Sequence, residues 1–275
     1  MNSFTTQLVY AFLGGLMPAL IWLFFWLRED LHPEPKRLLT KAFAAGAVAI
    51  PFALLAEAVI SCGLTYLFFT PPQTEHSSVG LTLLPLCASS KPPFHIVAIP
   101  VGALMLIAFA AAEEVIKYIS AKQFVLKGKD FDEPVDAMIY LITVALGFAA
   151  FENFFFLLSA FANTFFDGIV VSNLRFLGAT LLHAVSSGVV GYAVALSFYR
   201  QGERKRYVAA GLFFATMLHA LFNVLVANKT TGAVGLFQAL SMLILTSVFL
   251  IFAFDRVKKI KKAARFQQSY IPYNH

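Results

Sequence analysis

The chain has 275 residues, 59% of them hydrophobic and only 13% charged, with a mean hydropathy of +0.74. A water-soluble domain carries about 25% charged residues, so half the polar surface needed to face water is missing and an ordinary soluble enzyme is excluded. No nucleic-acid motif is present, and the formal net charge of +6 needs another explanation.

The apolar residues fall in runs close to the ~20 residues that cross a bilayer. In chain order they predict seven transmembrane helices: residues 8–27, 42–69, 96–119, 135–161, 174–198, 207–226 and 233–254. The longest gap covers residues 70–95, which leaves no separate soluble domain. Residues 1–275 are therefore read as one all-α membrane domain, a bundle of about seven helices. The first residues lack a basic segment and the first run is long enough to span, so no cleaved signal peptide is expected.

Charge sets the topology. All of the 21 basic residues except Lys91, Arg175 and Lys229 end or follow the first, third, fifth or seventh run. Loops enriched in Lys and Arg are cytoplasmic, which predicts the N-terminus outside and the C-terminus inside. The basic tail, residues 256–275, is expected to lie against anionic inner-leaflet lipid. Cys62 and Cys87 both fall toward the outer side, where a disulfide and two structural thiols are equally open readings. Asn228-Lys229-Thr230 has the form of a glycosylation sequon, a match too short to carry weight.

Ionisable residues inside the spans are the informative ones, because each costs ~2.5–3.5 kcal/mol at a helix centre on insertion scales. Of the 15 acidic residues only Glu57, Glu113, Glu114 and Glu152 lie well within spans, and of the 6 histidines only His183 and His219. On the third helix Glu113 and Glu114 stand one helical step from Lys117, at i,i+4 and i,i+3. One cation compensates one carboxylate, so the pair is expected to share a proton, which suits a general base. An interfacial ion pair anchoring the helix end is the alternative. The fourth helix holds Glu152 and Asn153 deep in an apolar run, either as interhelical hydrogen bonds or, more in keeping with the cost of a carboxylate, as functional groups.

On the fifth helix His183, Ser187 and Gly191 recur at i, i+4 and i+8, a stripe of small groups that lets a neighbouring helix approach and keeps the imidazole off lipid. On the sixth, His219 and Asn223 share a face. They could form an oxyanion-stabilising pair or an ordinary helix–helix bond. Glu57 has no polar companion at helical spacing and is read as a structural or gating carboxylate. Runs such as Phe154-Phe155-Phe156 are lipid-facing bulk.

In this order and spacing, Glu113-Glu114-x-x-Lys117, Gly147-Phe148-x-x-x-Glu152-Asn153, His183 with Gly191, and His219-x-x-Phe222-Asn223 resemble the four motifs of the PrsW family. These are bacterial intramembrane proteases related to the CAAX prenyl endopeptidases. The resemblance runs from Pro33-Glu34-Pro35 to about Asn223. It implies a glutamate-dependent peptidase of the bacterial cytoplasmic membrane, multi-pass, in which a glutamate of the first motif assisted by a histidine activates water and the second histidine with the asparagine steadies the oxyanion; the reading adopted is Glu113 with His183, and His219 with Asn223, the roles of Glu113 and Glu114 being open to exchange. Glu114 would hold Lys117 or tune its neighbour, and Glu152 would orient a histidine. Asn153, Phe222 and Gly191 are supporting positions. The implied partner is a membrane-anchored protein substrate in the bilayer, such as an anti-sigma factor or another signalling protein.

Three alternatives stay open. The first is a zinc peptidase, with Glu113, Glu152, His183 and His219 as ligands. No His-Glu-x-x-His motif is present and the donors are scattered over four helices, so the expectation is no cofactor. A proton-coupled transporter is the second, although no internal repeat is found. The third is a scaffold binding partner helices through its small-residue face. Counted along the spans, Glu113 falls nearer the cytoplasmic end and Glu152 and His183 nearer the outer half, so the motifs form one site only if the helices are offset or tilted.

Overall fold

The computed structural model describes residues 4–68, 99–228 and 232–269. Among these the chain is helical throughout, with no strand. The helices are α1 (Phe4–Leu27), α2 (Lys36–Phe68), α3 (Ile99–Phe124), α4 (Pro134–Asn163), α5 (Phe165–Arg175), a π-helical turn (Phe176–Thr180), α6 (Leu181–Leu196), a 3-10 turn (Gln201–Glu203), α7 (Arg204–Ala227) and α8 (Gly232–Ser269). Six segments are long and apolar enough to cross a membrane, with α5, the π turn and α6 forming one of them. α3 takes the place of the third predicted span and carries the Glu-Glu-Lys group. The predicted loop over residues 70–95, with Cys87, lies outside the described residues, whereas Cys62 is disulfide-bonded.

α4 is the axle of the bundle. Every residue from Pro134 to Ala150 is buried, as expected of a helix apolar on all sides. Its start is defined locally: Pro134 occupies the first turn, and the Asp136 carboxylate accepts from the backbone N–H groups of Asp132 and Glu133 at 3.0 and 2.7 Å. α1, α2 and α6 pack directly on α4, while α3 bridges α2 to α7, and α7 returns to α6. The ring α4–α2–α3–α7–α6 encloses a cavity. α1 stands outside it against α4, and α8 outside it against α6 and α7. Exposed Phe12, Phe24, Phe52, Phe213, Phe214 and Phe252 form the outer surface, which in a bilayer is the lipid side.

Two glycines of the predicted motifs are packing positions. A Cβ on Gly147 would stand 2.0 Å from the Phe43 carbonyl oxygen of α2, and one on Gly191 would stand 2.6 Å from the Met138 Cα of α4. Backbone-to-backbone approach this close is available only to small residues. The seam draws α2 and α6 against α4, and so sets the width of the cavity between them.

The structure differs from the sequence reading at two places. The fifth span begins nine residues earlier than predicted, at Phe165, because Thr164 caps α5 by accepting from the Asp167 N–H at 2.9 Å. The basic segment predicted as a tail continues α8 as helix to Ser269.

Candidate active site

Residues from α2, α3, α4, α6 and α7 line a cavity of about 440 Å³ that includes Glu57, Glu113, Glu152, His183, His219 and Asn223. The offset that threatened to divide the motifs into two sites is absent: the groups of all four meet here.

Glu114 is the structural member of the carboxylate pair. It is 1% exposed, and its oxygens accept from Lys117 Nζ (2.6 Å), Ser186 Oγ (2.8 Å), Ser187 Oγ (3.1 Å) and His219 (2.9 Å to Nδ1). Lys117, itself fully buried, also lies 3.0 Å from His183 Nδ1 and 5.1 Å above the Phe148 ring. The lysine thus pairs with Glu114 at i,i+3 and not with Glu113 at i,i+4. Ser187, read from sequence as part of a packing stripe, and its neighbour Ser186 help to hold Glu114.

Glu113 is the contrasting member. It is 6% exposed, and its Oε2 is buried without a hydrogen-bond partner. That oxygen lies 3.8 Å from His183 Nδ1 and 3.9 Å from His219 Nε2. Glu57 reaches in from α2 and lines the same cavity as Glu113, so it belongs to the site and is not an isolated carboxylate.

The tautomers follow from the partners. An ammonium only donates, so His183 Nδ1 facing Lys117 accepts, and Nε2–H donates to Glu152 Oε2 at 3.0 Å. An ion-paired carboxylate only accepts, so His219 Nδ1–H donates to Glu114 and its Nε2 carries a lone pair. The two imidazoles stand edge to face, 5.1 Å apart. Each has a carboxylate behind it; the Nε2 lone pair of His219 lies on the side of Glu113 Oε2, while that of His183 Nδ1 is held by Lys117.

These three atoms meet the requirements of a metal site. The ligand atoms of Glu113, His183 and His219 lie within 4.8 Å of one another and all three residues are buried. Bonds of about 2.1 Å to a tetrahedral zinc place ligands ~3.4 Å apart, so the histidines would close on Glu113 Oε2 from 3.8 and 3.9 Å, and Lys117 would have to leave His183 Nδ1. A carboxylate behind each histidine is the usual outer shell of such sites. Glu152, included in the sequence-derived ligand set, is outside this convergence because it is engaged by His183 Nε2 and by Arg175.

Arg175 is the residue that sequence reading missed. Placed there among outer-side charges, it lines the cavity, and its guanidinium binds Glu152 Oε2 through Nη2 and Asn153 Oδ1 through Nε, each at 2.5 Å. Asn153 in turn donates to Thr180 Oγ1 at 2.8 Å. Phe222 is buried against the cavity and Asn223 lines its wall on the same face as His219.

The family model described as PrsW family intramembrane metalloprotease matches residues 34–253. The chain belongs to the PrsW family. Its relatives include the "Protease PrsW" of Geobacillus kaustophilus, 31% identical over 170 residues (62% of this chain and 69% of the relative). That of Oceanobacillus iheyensis is 21% identical over 210 residues, covering 76% and 80%. A third, from Halalkalibacterium halodurans, matches over 113 residues at 26% identity, covering 41% of this chain and 49% of the relative. No solved structure gives a significant match. The PrsW chain described here is thus a multi-pass integral membrane protein of bacterial type and a peptidase acting on membrane-embedded substrates.

Proposed function

We propose that the chain hydrolyses a peptide bond of a membrane-anchored protein with a water held between Glu113 Oε2 and His219 Nε2, beside the ring of His183. The single observation behind this reading is the unpartnered, buried Glu113 Oε2 with the His219 Nε2 lone pair beside it. Two acceptors beside one another match the two hydrogens of a water, and the carboxylate of the pair is a proton acceptor. Glu113 takes a proton from the water as its oxygen bonds to the carbonyl carbon. The same proton then passes to the leaving nitrogen as the C–N bond breaks. Asn223, an amide donor on the cavity wall, faces the developing oxyanion. Neutral His219 keeps its proton toward Glu114, so its part is to accept from the water. Glu152 fixes the ring of His183. The cavity offers no serine or cysteine among its lining residues, which supports direct attack by water over a covalent intermediate.

A second reading is favoured by the same convergence and by the metalloprotease description of the family. Glu113, His183 and His219 would hold a divalent metal, zinc by donor set. Bound there, it would supply a polarised water of lowered pKa and a Lewis acid for the carbonyl oxygen. In that form Lys117 gives up His183 Nδ1 and stays on Glu114.

The substrate class follows from the location: a single-span or lipid-anchored protein entering from the bilayer, an anti-sigma factor being one such regulator. Comparative proteomics of membranes carrying wild type or Glu113→Gln will identify fragments made only by the wild type. A fluorogenic peptide copied from that cleavage is then presented to purified protein in liposomes. Glu113→Gln and His219→Ala are expected to be silent at wild-type expression. Cleavage by both variants at the wild-type rate refutes the site. Loss of activity to a chelator, restored by stoichiometric zinc, selects the metal form, and chelator resistance with no bound metal by elemental analysis selects the metal-free one.

A further inference from the structure

We infer that Arg175 is a positioning residue for the hydrolytic reaction, aimed at the site by the π turn that follows it. The inference rests on the site proposed above and extends it to a residue outside the recognised motifs.

In an unbroken α-helix, residues eight apart such as Arg175 and His183 point about 80° away from each other, at ~100° per residue. A π turn widens the helix by one extra residue. With it the pair behaves as if seven apart, about 20° from eclipsed, and the guanidinium comes onto the histidine's face. The turn is built to last. The carbonyls at its start accept from side chains as well: Arg175 O from Thr180 Oγ1 at 3.0 Å and Phe176 O from Trp22 Nε1 of α1 at 3.1 Å. The Cβ position of Gly178 lies 3.1 Å from the Phe222 ring, so the turn is wedged against α7 as well.

The guanidinium is fixed on three sides: Glu152 Oε2, Asn153 Oδ1, and the ring of Phe156, with its carbon 4.0 Å from the centroid. Glu152 Oε2 is the same oxygen that receives His183 Nε2–H. Two donors therefore converge on one carboxylate oxygen from different sides, and the position of Glu152 sets the plane of the His183 ring. A planar fork with donors at two separate atoms does this where a point charge does not. Arg175 thereby acts on the water through Glu152 and His183 without needing to touch substrate.

The test uses the full chain in liposomes with the fluorogenic peptide described above, comparing wild type, Arg175→Gln, Arg175→Lys and Glu113→Gln, with thermal unfolding of each. Arg175→Gln should lower kcat about 10- to 100-fold, the range for loss of a partner behind a histidine, with KM close to wild type and a kcat loss larger than the fall in melting temperature accounts for. Arg175→Lys should recover part of kcat. A rise in KM at constant kcat would overturn the inference in favour of direct substrate contact. A wild-type kcat in Arg175→Lys would overturn it too, because charge alone would then suffice. So would kcat losses that only track losses in melting temperature. If Glu113→Gln cleaves normally, the proposed site itself has failed, an outcome separable from the others.

Discussion

Replacing the adjacent glutamates one at a time by glutamine should produce opposite signatures. In Glu114→Gln the side-chain shape is kept. Oε1, which accepts Lys117, Ser186 and His219, remains an oxygen, and Ser187 can rotate its hydroxyl to face the new amide. What disappears is the charge that compensates Lys117, a residue with no exposed surface. Leaving one partner of a buried pair alone costs about 3–5 kcal/mol. At ~2–4 °C per kcal/mol for a chain of this size, the melting temperature should fall by roughly 6–20 °C. Glu113→Gln removes no ion pair and replaces an unpartnered oxygen, so its stability should stay within about 1 kcal/mol of wild type, while cleavage is lost. Thermal unfolding in one detergent, followed by intrinsic fluorescence beside the peptide assay, reads both quantities. If the two variants melt alike, or if Glu113→Gln is the less stable one, the division into a structural and a reactive glutamate is wrong.

Gly147→Ala should test the seam. Its Cβ would have to move from 2.0 Å to ordinary contact with Phe43 O, and overpacking of this kind costs about 1–3 kcal/mol; a drop in both melting temperature and cleavage is expected, and an unchanged melt would refute the close approach. Thr164→Ala removes the cap of α5, worth about 0.5–2 kcal/mol, and should speed hydrogen exchange at residues 165–168 while sparing α4. Glu34 offers a pH test. Burial raises its carboxyl above the ordinary value, outweighing the lowering by the Tyr140 hydrogen bond, with Asp136 beside it and Asp30 and Asp132 near by. A carboxyl raised in the folded state binds its proton more tightly there, so this stabilisation is complete in acid and fades as pH climbs through the raised value. Melting temperature should decline above the usual carboxylate range in wild type, and Glu34→Gln should lack that component; parallel pH profiles would refute it.

Much of the site was legible because a bilayer makes polar groups conspicuous. Glu113, Glu114, Glu152, His183, His219 and Asn223 stand out as interruptions of apolar runs, and all but Glu114 line one cavity, with Glu114 bonded directly behind it. Lys117 was visible as a partner, but i,i+3 and i,i+4 geometry alone left both glutamates available to it. Ser186 and Ser187 gave no signal, since small hydroxyl residues in a helix stripe serve packing equally well. Arg175 was misplaced for a physical reason. It sits near the end of an apolar run, where a charge reads as a loop residue, and nothing in Phe176–Thr180 announces a π turn. Glu57 looked solitary because its companion, Glu113, comes from another helix.

Composition and periodicity by themselves determined that the chain is a helical membrane protein and which polar side chains interrupt its apolar helices, because hydrocarbon penalises every polar group that lacks a purpose. Only the tertiary structure decided which lysine–glutamate pair forms, which nitrogen of each imidazole faces the centre, and that Arg175 belongs there. Those depend on the relative depth and rotation of separate helices, set by packing between backbones at Gly147 and Gly191 and by one widened turn. A one-dimensional pattern holds no record of that rotation.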